Sequence, residues 1–147
     1  MQLRRYTIVR LILEDEGRVL LLRQTNRNGG KYTLIGGKIQ VRETPIQALI
    51  RETFEESGAV IAEEDLEFVH YCYQRKSDMI NMILVFRATR WAGSILNRES
   101  HKFMHVAWFP KEELPERTTK ATRHILDQVR KGFSRYSEIT SKRLIVK

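Results

Sequence analysis

Three glutamates, Glu52, Glu55 and Glu56, stand within five positions of one another in the stretch GGKIQVRETPIQALIRETFEESGA, which runs from Gly36 to Ala59. Carboxylate oxygens are hard ligands suited to Mg2+ or Mn2+, and Mg2+ keeps several waters and binds substrate phosphates as well. On a helix each residue advances about 100°, so with Glu52 at zero Glu55 falls at about −60° and Glu56 at about +40°. Two unit charges about 6 Å apart at an effective dielectric near 20 repel by roughly 3 kcal/mol. A divalent cation removes that cost. It would also bridge phosphate oxygens and activate a water, which is the chemistry of phosphoanhydride hydrolysis. Against this stands the plainer reading of a solvated acidic helix face, which on helix composition alone is the more ordinary one.

The helix itself is well specified. Thr44 suits the N-cap, Pro45 the first helical position, Gln47 completes a capping box, and Gly58 supplies a left-handed stop, so a helix is predicted over Pro45 to Ser57. Ile46, Leu49, Ile50, Thr53 and Phe54 fall at roughly 60° to 200° and form a neighbouring arc of the kind that faces a core. The acidic edge is thereby held by a buried one.

The spacing adds a second argument. Gly37, Glu43, Arg51, Glu52, Glu55, Glu56 and Gly58 match G-x5-E-x7-R-E-x2-E-E-x-G position by position, and in this the chain resembles the Nudix hydrolases. Thr53 and Ala59 depart mildly from the large aliphatic residues of that family, and Ile35 stands where many members have proline. The resemblance implies an α/β protein, a Nudix-type α/β/α sandwich with a central mixed β-sheet. It implies metal-dependent cleavage of a nucleoside diphosphate linked to another moiety, with nucleoside triphosphates among the substrates. Carried over by position, Glu52, Glu55 and Glu56 hold Mg2+ (or Mn2+), Glu52 and Glu55 take part in catalysis with Glu52 a candidate base, and the Gly37 carbonyl completes the metal shell. Glu43 and Arg51 brace loop against helix. In similar enzymes an acidic residue of a later loop joins the metal or acts as base. Glu99 is the candidate in Trp91 to Lys102, with His101 an alternative in the same loop. Arg23 and Lys38 are candidate contacts to substrate phosphates. Tyr32 would stack on a nucleobase, or simply pack.

The rest of the chain fits around this centre. Its 147 residues make one domain, with a Nudix portion over 1–131 and a basic extension over 132–147. Tyr6 to Leu13 and Arg18 to Arg23 read as a hairpin across EDEG, Lys31 to Ile35 as a short strand, Leu66 to Gln74 and Met79 to Arg87 as strands joined at RKSD, and His105 to Phe109 as a further strand. The Trp-Phe of that strand and the KEELP that follows it resemble a late element of the same family. Thr118 or Thr119 caps a final helix to about Lys131, with Ala121, Ile125, Leu126 and Val129 inward. Leu144 to Val146 is a small apolar close that suits an added strand, a dimer contact or a frayed end. Cys72 is the single cysteine and is expected as a small buried residue, and the four histidines show no zinc spacing.

The amino-terminal apolar run is broken by Arg10 and ended by Glu14, too short and charged for a spanning helix or a secretory signal, so a cytoplasmic protein is expected. The formal net charge is +8 although the catalytic helix is acidic, so the cations lie elsewhere and favour anionic partners. A small-molecule nucleotide is the expected substrate. Two alternatives are a non-catalytic nucleotide- or RNA-binding module and an RNA 5′-end pyrophosphohydrolase, whose turnover would fall steeply with salt.

Overall fold

The computed structural model describes residues 2–140 and the backbone of 144–146, so that 141–143 and 147 of the basic extension lie outside the described residues. Strands β1 (Arg4–Asp15) and β2 (Arg18–Gln24) form the expected hairpin. Its two-residue turn has positive φ at Glu16 (50°) and Gly17 (78°), the twist that joins antiparallel strands most directly. The expected strand after the glycine loop is divided. The chain crosses at Leu34 from one partner to another, so β3 (Tyr32–Thr33) pairs with β2 and β4 (Ile35–Lys38) pairs antiparallel with β1.

Helix α1 spans Pro45–Ser57 with the capping box formed in full and Gly58 in the left-handed region at φ 80°. Strands β5 (Glu67–Arg75), β6 (Met79–Ala88) and β7 (Phe103–Pro110) follow, then helix α2 (Lys120–Lys131), capped by Thr119 and stopped by Gly132. Strand β8 (Tyr136–Ile139) lies parallel to β5, and β9 (Leu144–Val146) pairs with β8, so the apolar close of the chain is an added strand. The sheet is mixed, in the order β3-β2-β1-β6-β5-β8-β9, with β4 on β1 and β7 on β2.

Strand β1 divides the interior by its period of two. Val9, Leu11 and Leu13 enter one core with Ala48 and Leu49 of α1, whereas Ile8 and Ile12 enter the other with Ile125 and Leu126 of α2. A helix therefore covers each face of the sheet, the α/β/α sandwich that the resemblance implied. The loop expected to be irregular, Trp91 to Lys102, is tied to the end of α1. Leu96 N–H donates to the Ser57 carbonyl (2.9 Å) and Arg98 N–H to that of Glu56 (3.3 Å). Phe54 departs from its predicted inward place: it is 41% exposed, with the Arg98 guanidinium 4.3 Å from its ring centre. At about 200° it lies past the buried arc, whose centre the packing moves toward Ala48, Glu56 and Thr53.

Candidate active site

The glycine pair and α1 meet across one short distance. Gly36 sits at φ 139°, and a side chain there would place its Cβ 1.9 Å from the Val9 carbonyl oxygen, so that only glycine lets β4 lie against β1. Its N–H donates to Glu56 Oε1 at 2.9 Å. A Cβ on Gly37 would stand 2.9 Å from the Glu52 carboxylate. The bare backbone of β4 is thus the surface on which two carboxylates of α1 rest.

The three glutamates divide two and one. Glu56 is buried at 3% exposure, and the Glu52 side chain is 13% exposed. Both line a cleft of about 410 Å3 together with Arg10, Gly36, Gly37, Lys38 and Lys102. Glu55 is half exposed and turned to Arg51. This is a refinement of the single narrow arc predicted from the sequence: a span of about 100° on a half-buried helix carries one edge into the core and the other into solvent. Among the described residues no three acidic, imidazole or thiol groups converge into a ready cage.

Burial pushes the Glu56 carboxyl well above its usual range, and neighbouring Glu52 adds to the effect, while the Gly36 N–H and Arg10 oppose it. Arg10 holds the place between Ile8 and Ile12 in β1, and its Nη1 donates to the Leu34 carbonyl at 3.1 Å. Burial pulls its guanidinium down, and Glu56 and Glu52 hold it up. Sequence reading treated Arg10 as an interruption of an apolar run. The signal was present, since a cation in a buried strand needs a partner.

Arg51 organises the acids around the helix. It meets Glu43 twice, Nε to Oε2 at 2.5 Å and Nη2 to Oε1 at 2.9 Å, and Nη1 reaches Glu52 at 2.9 Å and Glu55 at 3.1 Å. Glu43 also accepts the Gln40 N–H, and these bonds, the Arg51 fork foremost, hold its carboxyl below the usual range. In return the Arg51 guanidinium is raised.

The remaining candidates fall in three places. Lys38 lines the cleft, with Nζ 3.8 Å from the Tyr6 ring centre. Glu99 has a buried Oε1 without a hydrogen-bond partner among the described residues, and its Oε2 lies 3.7 Å from Lys102, which lines the cleft. His101 is exposed. Tyr32 bonds His105 Nε2 (2.9 Å) and packs edge-on against Phe109, with the Arg23 guanidinium 5.5 Å from its ring centre. Neither Arg23 nor Tyr32 lines the carboxylate cleft, and the packing role describes Tyr32.

The donors present suit a hard divalent cation. Glu52 and Glu56 crowd together at cost against the glycine backbone, and Glu99 keeps a buried oxygen with no partner among the described residues, in the loop whose Lys102 lines the same cleft.

A fold of this kind, with the glutamates of α1 seated on a glycine edge, matches the NUDIX domain family over residues 3–129, and the chain belongs to that family of hydrolases. Among its relatives, a MutT-like protein of Streptomyces ambofaciens is 29% identical over 111 residues, 76% of this chain and 67% of that protein. The human 8-oxo-dGDP phosphatase NUDT18 is 28% identical over 114 residues, 75% of this chain, and the chain spans 33% of its length. Among solved structures, the MutT NUDIX hydrolase of Burkholderia pseudomallei superposes with a TM-score of 0.79 at 24% identity, covering 86% of this chain and 98% of that one. No described helix is long and apolar enough to cross a membrane.

Proposed function

We propose that the protein is a metal-dependent pyrophosphohydrolase that cleaves a phosphoanhydride bond in a nucleoside diphosphate linked to another moiety, with nucleoside triphosphates in that class. The observation that carries this reading is the pair Glu52 and Glu56 lining one cleft against the bare Gly36 and Gly37 backbone, with Arg10, Lys38 and Lys102 around it. The human relative is named for a nucleoside diphosphate substrate, which supports the same class.

Glu52 and Glu56, with the Gly37 main chain, would hold Mg2+ or Mn2+, and Glu55 would join them on turning from Arg51 toward the cleft. When bound, the ion supplies charge neutralisation for the phosphates and a water of lowered pKa. The chain's own residues do the rest. Lys38 and Lys102 attract the diphosphate into the cleft, Arg10 balances the carboxylate pair from behind, and Arg51 holds Glu52 in orientation from the front. Glu52 and Glu99 are the two carboxylates offered as acceptor of the water proton. Direct attack by water fits, since the sequence carries no P-loop pattern and Ser137, which meets His70 and His124, is fully buried and does not line the cleft. In a cytoplasmic setting nucleotides of this class are at hand.

The test is product analysis on a panel of nucleoside triphosphates, nucleotide sugars and dinucleoside polyphosphates with Mg2+ and Mn2+, for the native chain and Glu52→Gln. Metal-dependent release from the native chain, reduced at least about 100-fold in the variant, is expected for loss of a catalytic carboxylate. Equal, negligible release from both would turn the assignment to a nucleotide-binding module.

A further inference from the structure

A second cleft, of about 370 Å3, opens beside the first and shares Arg10, Gln24 and Thr33 with it. Its lining differs in sign. Lys31, Lys76 and Lys120 converge on it from the loop before β3, the turn between β5 and β6, and the first turn of α2, with Arg10 at the junction and no Asp or Glu among the lining residues. None of the three lysines forms an ion pair with a described residue, whereas lysines elsewhere on the surface do. All three are exposed, and with Arg10 they give the cleft a positive field that draws an anion. The α2 N-terminus lines the same space through Thr119, Lys120, Ala121 and Thr122, and its dipole acts in the same direction. At the cleft Asn81 is 6% exposed and donates from Nδ2 to Gln74 Oε1 at 3.0 Å, while its buried Oδ1 has no partner among the described residues. That oxygen is closed to solvent, and a turn of the Asn81 side chain, which lines the cleft, would present it to a ligand hydroxyl or N–H.

We propose that the nucleoside beyond the cleaved diphosphate carries a phosphate monoester of its own, held by Lys31, Lys76 and Lys120, with Asn81 accepting from its sugar or base. This rests on the pyrophosphohydrolase reading for the reaction, though not for the binding. A neutral base and sugar would leave three cations unanswered. The volume is at the small end of ligand pockets, which run about 300 to 1,000 Å3, and suits one nucleoside better than a nucleic-acid strand. The first cleft then takes the diphosphate at its carboxylate end, and the second selects for charge at the other.

The test is calorimetric titration, without divalent metal, of adenosine and guanosine 5′-monophosphates against their 2′,5′- and 3′,5′-bisphosphates. In at least one series a bisphosphate should bind about tenfold or more tightly, the gain of a charge-assisted hydrogen bond. The gain should shrink with added salt and should vanish in the Lys31→Ala, Lys76→Ala, Lys120→Ala triple variant, whose fold is checked by its melting curve. Lys120→Glu should turn the preference toward the monophosphate. Equal affinity across each series, or a preference that survives the triple variant, overturns the proposal. With Mg2+, NADPH should be cleaved in preference to NADH. Preferential binding with no cleavage of any nucleotide would overturn the hydrolase reading and leave the charge preference standing. Faster cleavage of a 5′-triphosphorylated oligonucleotide than of every mononucleotide would overturn the proposal in favour of a strand.

Discussion

Glu56 is the residue at which the proposed metal-holding role and stability conflict. Its carboxyl is raised by burial, so the folded state prefers it protonated. The linkage has a definite sign: stability from this group is complete below the ordinary glutamate range and is lost as pH rises toward the raised value. Glu56→Gln keeps an oxygen for the Gly36 N–H and removes the charge. It should raise the melting temperature, more at pH 8 than at pH 5, while metal-dependent turnover falls. A melting temperature that drops equally at both pH values would contradict the account. Gly36→Ala is the opposite case, because its Cβ would fall 1.9 Å from the Val9 carbonyl at a φ of 139°. It should cost upwards of about 3 kcal/mol, combining overpacking with backbone strain, and urea unfolding at neutral pH would show it. At this scale the tight fit at Gly36 emerges only from the structure, whereas the closeness of Glu52 and Glu56 was legible from helical spacing. Arg10 was not. A lone cation in an apolar run becomes informative only once the strand is known to be buried on both faces.

Helix α1 shows what local sequence specifies well, since its cap, first residue and stop are all written within the segment and the element runs Pro45–Ser57 as predicted. Thr44→Ala should cost about 1 kcal/mol in thermal or urea unfolding, the usual worth of such a cap. Contacts between distant elements were less visible. His70 of β5 and His124 of α2 both approach Ser137 Oγ of β8 at 2.7 Å, a buried junction joining three segments far apart in the chain. Burial lowers both imidazoles, and His124 adds to the effect on His70. A lowered imidazole contributes stability that is present above its unfolded value near 6.5 and lost as pH falls through that value toward the folded one. The native chain should therefore lose stability as pH falls below about 6.5, and His70→Gln, which cannot titrate, should flatten that part of the curve. An unchanged slope would remove the junction from the acid response.

At the scale of the molecule, the basic extension is an edge of the sheet. Strand β8 pairs with β5 and buries Ser137 and Ile139, while burial pushes neighbouring Cys72 up to about 11, as an inert interior thiol. Ending the chain after Gly132 would strip the β5 edge and open the core beneath α2. The expected loss exceeds about 4 kcal/mol, more than one large buried side chain, and circular dichroism melting of the shortened chain would measure it. The alternation of apolar residues marked β5 but not the four-residue β8, which the sequence leaves inside the basic extension, and strand order could not be read from it, because parallel pairing joins segments that carry no local signal for one another.

Strand β1 lies parallel to β6 from Arg4 and Met79 through Leu13 and Ala88. During synthesis its mate is not made until α1 is already complete. The acids of α1 therefore spend that interval beside β4 and a β1 that still lacks its long parallel partner, and a ribosome-bound chain halted before residue 79 should have no competence for nucleotide. Assembly of the centre is then a late, all-at-once event governed by long-range registration, the slow class of folding step.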